Sequence, residues 1–233
     1  MPVKIKARIV STLPRELVLD LFDVAISRAR EAHELVKGTD LSGRGARGLE
    51  GQARFRLMEK GFQDACEQHG GVPLEGDVIP GTDLRYFQPF MRFGGDRPGV
   101  LLGLASMPVR AEIPNKNRSR LAGVSLNHIV SPRLDLDGTG GAPKPGDVFV
   151  LLLFARDPGR AGHVDEVAIG LIDSDYASFL FYEPIEKFLE GYATPEAPTD
   201  DGPTPSLVTL KKVRKAFKPP EAPEADDAAV STE

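Results

Sequence analysis

The chain has 233 residues, of which 41% are hydrophobic and 27% are charged. This length suits one large domain, and the apolar fraction is high enough for a core to offset the entropy lost on folding. The single cysteine, Cys66, has no partner for an intramolecular disulfide or a cysteine metal cage. The net charge of −5 argues mildly against a dedicated nucleic-acid-binding domain, which is usually basic.

No stretch of the sequence is apolar for long enough to cross a bilayer. The longest apolar run, Val148 to Ala155, is far shorter than the roughly 20 residues that a membrane-spanning helix needs. The first residues also lack the apolar core of a secretory signal. We therefore expect a soluble, cytoplasmic protein with no membrane partner.

The first two elements differ in their hydrophobic period. Apolar and basic residues alternate over Lys4–Val10, which predicts a half-buried strand. Thr12 and Pro14 then form a helix-start pattern, and apolar residues recur at spacings of three and four until Gly38. This second pattern predicts a helix.

A glycine-rich basic stretch, residues 41–48, follows this helix, and we predict a flexible surface loop there. It lacks the glycine spacings of phosphate-binding loops. The next stretch, Leu49–His69, has an apolar stripe that includes Cys66 and ends at Gly70 and Gly71, which predicts a second helix. On that stripe Cys66 is interpreted as a small buried hydrophobe rather than a nucleophile.

Short strands separated by turn residues dominate the second half of the chain. The run VFVLLLFA has no polar face and predicts a central strand that is covered on both sides. Asp173–Asp175 predicts a hairpin turn, and a short helix is expected over Pro184–Tyr192. The predicted strands are Val72–Ile79, Leu84–Phe93, Val100–Met107, Asp147–Ala155, Glu166–Ile172 and Ala177–Tyr182.

These elements predict an α+β fold. Two N-terminal helices would pack on a mostly antiparallel sheet of about six strands, because no long helices separate the strands. Residues 1–192 would form this single globular domain.

The C-terminal residues 193–233 are rich in proline and acids, which predicts a disordered tail. Within it, residues 207–218 form a basic amphipathic segment that is typical of a protein-docking motif, although basic runs are also common in tails without any function. The candidate docking residues are Leu210, Lys211, Lys212, Val213, Arg214 and Phe217.

The most informative stretch lies between residues 110 and 127, where four basic and three amide side chains occur with a single acid. Such side chains can bind phosphates, sugars or base edges, so an anionic partner, with nucleic acid among the candidates, is one hypothesis. The alternative is a solvated loop with salt bridges to Glu112, Asp135 and Asp137. The candidate anion-binding residues are Arg110, Asn115, Lys116, Asn117, Arg118, Arg120 and Asn127.

Four aromatic residues, Tyr86, Phe87, Phe90 and Phe93, precede this stretch. They could provide stacking surfaces for bases, but aromatic residues in a strand more often belong to the core.

A divalent-metal nuclease or phosphodiesterase is the catalytic alternative. Its site would use carboxylates at strand ends with Mg²⁺ or Mn²⁺, and a lysine to balance a phosphate. The spacing of these residues fits no regular motif, and no other cofactor or metal is predicted. The residues concerned are Glu75, Asp77, Asp83, Glu112 and Lys116.

The sequence therefore leaves three functions open. The favoured one is a non-catalytic binding or accessory protein that presents its basic loop to an anionic partner. The others are the metal-dependent enzyme and a structural subunit of a larger complex.

Overall fold

The computed structural model describes residues 2–75, 78–79, 83–130 and 146–192. The chain divides into two units, Met1–Ala193 and Thr194–Glu233, and all of the described residues lie in the first. The helices are α1 Pro2–Thr12, α2 Arg15–Lys37, α3 Gly43–Gln68, α4 Arg118–Val124 and α5 Ile185–Leu189, with 3₁₀ turns at Ser125–Ile129 and Glu190–Tyr192. The strands are β1 Val72–Pro73, β2 Met91–Phe93, β3 Val100–Met107, β4 Val148–Arg156, β5 Val164–Ile172 and β6 Phe179–Pro184.

The strands form one six-stranded sheet in the order β1-β2-β3-β4-β5-β6. Four of the five strand pairs are antiparallel, and β3 with β4 is the parallel pair. The predicted α+β class with a mostly antiparallel sheet is thus confirmed. The hairpin predicted at Asp173 is also confirmed, because its carboxylate accepts the backbone N–H groups of Ala177 and Ser178 between β5 and β6.

A parallel pair needs a crossover connection, and this one contains α4 and the 3₁₀ turn that follows it. Val150 and Leu152 of β4 pack into the core with α1–α3, whereas Leu151 and Leu153 pack with α4 on the other face. The prediction that β4 is central and covered on both sides is therefore confirmed.

The predicted N-terminal strand is wrong, because residues 4–10 lie in α1. Ile5 and Ile9 are buried four residues apart, and Leu13 continues the same stripe. The short sequence fits a period of two and a period of 3.6 equally well, and packing against the core selected the helix. Lys6 then pairs with Glu183, with 2.6 Å between Nζ and Oε2.

The loop predicted over residues 41–48 is also wrong from residue 43 onward, since α3 begins at Gly43. Glycine disfavours helix by about 1 kcal/mol per residue, which is why the sequence predicted a loop. Packing against α2 overrides this preference, and His33 of α2 lies 3.2 Å from Glu50 of α3. The two predicted N-terminal helices are otherwise confirmed, with α2 ending before Gly38.

Two predicted strands are much shorter than expected. Regular pairing covers only β1 and β2, and an isolated bridge joins Val78 to Arg85. Tyr86 and Phe90 are buried and stacked on each other with ring centroids 4.9 Å apart, so this stretch is fixed by aromatic packing rather than by a strand ladder.

Asn127 joins the crossover to the sheet. It is fully buried, its Nδ2 donates to the carbonyl oxygens of Phe149 and Ile172, and its Oδ1 accepts the N–H of Phe149 at 2.8 Å. Both polar atoms of its side chain are therefore hydrogen-bonded to the backbone of the sheet.

We expect Asn127→Ala to lower the free energy of unfolding by about 2–4 kcal/mol, because it leaves buried backbone groups without partners. Urea denaturation measures this change. The matched control is Asn115→Ala at an exposed position, with an expected loss below about 0.5 kcal/mol. Equal losses for the two variants would contradict the structural role of Asn127.

Candidate anion-binding cleft

The structure separates the seven predicted anion-binding residues into two groups. Asn115, Asn117, Arg118 and Arg120 border a single cleft. Arg110, Lys116 and Asn127 do not border it, and Asn127 is committed to the sheet.

Arg110 is neutralised by an acid of the same fold. Its Nε and Nη2 donate to the two carboxylate oxygens of Asp165 at 2.5 and 2.6 Å. Hydrogen bonding to this carboxylate raises the pKa of the Arg110 guanidinium and lowers the pKa of Asp165. The partner is thus Asp165 rather than Glu112, and Asp135 and Asp137 lie outside the described residues.

Lys116 precedes α4, and its side chain approaches the hairpin between β5 and β6. Its Nζ is 5.7 Å from the ring centroid of Tyr176, which is within the range of a cation–π contact. Its side chain is exposed, so it stays available to an approaching anion at the rim of the molecule.

The cleft consists of three cavities with shared walls and volumes of about 370, 310 and 460 Å³. Phe55 of α3 borders all three, and Gln88 and Asn117 border two of them. These volumes lie in the range of ligand pockets.

The cleft lies at the carboxyl end of β3. Ser106 and Met107 form its floor, and Phe55 and Arg120 face each other from the two layers that cover the sheet. Ser106 is paired with Phe154 in the parallel register, so β3 and β4 end on the same side. Crevices outside the carboxyl ends of parallel strands are where ligands bind in open α/β sheets.

Arg120 is the most unusual side chain of the cleft, because it is only 9% exposed and has no acidic partner among the described residues. Its Nη2 donates to the carbonyl oxygen of Asn115 at 2.6 Å, and its buried Nε makes no hydrogen bond. Burial lowers the pKa of Arg120, and the nearby hydroxyl of Tyr176 opposes this effect.

The backbone around Arg120 is fixed by the preceding turn. Oδ1 of Asn117 accepts the N–H of Arg120 at 2.8 Å as the N-cap of α4, and Nδ2 of Asn117 donates to Gln88 at 3.2 Å. Asn117 thus positions this wall of the cleft in addition to bordering it.

Positive charge exceeds negative charge along the cleft. Four arginines, Arg47, Arg56, Arg118 and Arg120, border it together with a single acid, Glu59. Glu59 pairs with Arg56, with 2.8 Å between Oε2 and Nη1. Arg118 has neither an ion pair nor a hydrogen bond with any side chain in the described part of the chain.

Arg54 of α3 is a second buried arginine, but it does not border the cleft. Arg54 is 9% exposed, and its Nη1 lies 3.7 Å from Glu50 without making a hydrogen bond. Burial lowers the pKa of Arg54, Glu50 raises it, and the charge of Arg156 lowers it further.

Sequence reasoning missed the half of the cleft that α3 provides. Arg47 falls in the predicted loop, and Phe55 falls on the apolar stripe of the second predicted helix, although its side chain is only half-buried in the structure. The density of arginines in the first half of α3 was the available signal, but nothing in the sequence shows that this half-helix faces Asn117 and Arg118.

The residues of the metal-enzyme hypothesis are described only in part. Glu75, Asp83 and Glu112 are exposed, and Asp77 lies outside the described residues. No group of three or more His, Cys, Asp or Glu residues that could hold a metal ion occurs among the residues described.

A further cavity of about 220 Å³ lies at the other end of β3, beside Arg92 and Asp147. Arg92 and Asp147 are paired with each other there, because Arg92 donates to both carboxylate oxygens of Asp147, and Asp147 also accepts the N–H of Gly99. With Asp96 and Arg97 the lining holds two acids and two arginines, so it has no excess of positive charge. This cavity is therefore a weaker candidate than the cleft.

No protein-family model matches the chain, and neither curated proteins nor solved structures gave a match. Within residues 2–75, 78–79, 83–130 and 146–192, none of the helices is long and apolar enough to span a membrane. The predicted tail 193–233, including the docking segment 207–218, lies outside the described residues and stays a prediction.

Cys66 should be inert in the folded protein. It is fully buried in α3, and burial, with a smaller contribution from Glu67, raises the pKa of its thiol, so little thiolate forms. We expect Ellman's reagent at pH 8 to label no thiol in the native protein and one thiol per chain in denaturant. Labelling of the native protein within seconds would contradict the structure.

Proposed function

We propose that this protein is a binding or accessory protein whose cleft holds an anionic partner that carries phosphate groups. The observation that carries the proposal is Arg120, a buried guanidinium that borders the cleft with an unpartnered Nε and has no acidic partner among the described residues. A buried charge is costly unless it is paired, so an anion bound in the cleft would stabilise this arrangement.

The other polar groups of the cleft suit the same class of ligand. Guanidinium groups bind phosphates bidentately, and Arg118 and Arg47 are free to do so within the described residues. Gln88, Asn115 and Ser106 add neutral donors at the rim and floor. Nucleic acid is the phosphate-bearing polymer that this combination fits best, because amide and hydroxyl groups also bond sugars and base edges.

The test is fluorescence anisotropy with a labelled single-stranded 12-mer of mixed sequence, measured from 50 to 300 mM KCl. We expect Arg118→Gln to weaken binding about 3- to 10-fold and to reduce the slope of log K against log[KCl] by about 0.7, because one phosphate contact is lost. Arg120→Gln should weaken binding at least as much, with thermal melting reported as a check on its fold.

The matched control is Arg15→Gln, an exposed arginine at the start of α2. The start of α2 lies near His69 at the end of α3. His69 is about 20 Å from Phe55 along the axis of α3, so Arg15 is far from the cleft. Affinity and salt slope should be unchanged in this variant. Failure of the wild-type protein to bind the oligonucleotide at 50 mM KCl, or equal effects of the variants at positions 15 and 118, would contradict the proposal.

The same samples separate binding from catalysis. Incubation of the 12-mer with the protein and Mg²⁺ or Mn²⁺ should leave it at full length, whereas shortened products would favour the metal-dependent phosphodiesterase.

A further inference from the structure

Phe87 is an exposed aromatic residue on the wall of the cleft. Its relative exposure is 66%, whereas its neighbours Tyr86 and Phe90 are almost fully buried. The ring borders the same cavity as Phe55, Arg56 and Arg118. Because this apolar ring is exposed to solvent beside two arginines, it does not contribute to the core of the fold.

The backbone that carries Phe87 is held in place. The N–H of Phe87 donates to Oγ of Ser119 at 2.7 Å, and Ser119 is buried in the first turn of α4. On the other side, Tyr86 is anchored by its hydroxyl to the carbonyl oxygen of Leu74. The exposed ring is therefore attached to a rigid wall, which lowers the entropic cost of binding a flat ligand to it.

An aromatic face beside guanidinium groups in a basic cleft is how proteins bind single-stranded nucleic acids. The aromatic ring stacks on a base, and the arginines contact the backbone phosphates. A duplex hides the faces of its bases, so it cannot use Phe87 in this way. An acidic peptide would satisfy the arginines, but its Asp and Glu side chains offer no flat ring to place on Phe87.

We infer that the partner is a single-stranded nucleic acid, with one base stacked on Phe87 and its flanking phosphate held by Arg118. This inference rests on the proposed function and adds to it the strandedness of the ligand and the residue that contacts a base.

The experiment compares two labelled 12-mers of equal charge, one with bases and one with abasic sites throughout. The wild-type protein should bind the base-bearing strand about tenfold more tightly than the abasic strand. Phe87→Leu, which keeps an apolar side chain but removes the ring, should abolish this preference and leave binding of the abasic strand unchanged. Phe87→Tyr should retain it.

Val72→Ala is the matched control, because Val72 is also exposed (62%) but lies on β1, away from the cleft. It should bind both strands like the wild-type protein. Circular dichroism of each variant checks that the fold is retained.

The outcomes distinguish this inference from the proposed function. If neither strand binds, both fail. Equal binding of the two strands, with no effect of Phe87→Leu, overturns the stacking inference and leaves the anion-binding function standing. Tighter binding of the 12-mer as a duplex than as a single strand would likewise overturn it. So would displacement of the strand by polyglutamate, if this displacement is lost in Phe87→Leu.

Discussion

The parallel pairing of β3 with β4 is the constraint on which the candidate site depends. Two parallel neighbours cannot be joined by a tight turn, so the chain must cross over one face of the sheet. In this protein α4 lies on that face, and α1–α3 occupy the opposite face. At the carboxyl end of β3 the two layers are separated by the cleft, and each layer contributes side chains to it.

Arg120 connects this geometry to chemistry. Its backbone is fixed by the N-cap at Asn117, and its guanidinium is held by the carbonyl oxygen of Asn115 in a buried position that lowers its pKa. A charge in such a place raises the free energy of the protein unless an opposite charge approaches it. The surrounding excess of arginines over acids would attract that charge, and it would do so less strongly at high salt.

Much of the fold could be predicted because it depends on local patterns. The end of α2 at Gly38, the uninterrupted apolar run of β4 and the turn at Asp173 each follow from the chemistry of adjacent residues. The first element was mistaken because Ile5 and Ile9 satisfy both the helical and the strand period over so short a stretch. The glycines at the start of α3 favoured a loop, and packing against α2 decided otherwise.

The candidate site was predictable only in part. Asn115, Asn117, Arg118 and Arg120 were singled out from their density in the sequence, and they do share one cleft. Arg110 and Asn127 could not be told apart from them, because their roles depend on Asp165 and on the backbone of β4, which are distant in the sequence. The contribution of α3 was hidden for the same reason, since only the folded chain brings Phe55 opposite Arg120.

The most direct test of the central claim is a titration of ¹⁵N-labelled protein with the single-stranded 12-mer, followed through the Nε–Hε signals of its arginines by NMR. Our account predicts that the signals of Arg118 and Arg120 shift in a saturable manner, while those of Arg110 and Arg15 do not move. Shifts confined to Arg110 and Arg15, or no saturable shift at any arginine of the cleft, would contradict it.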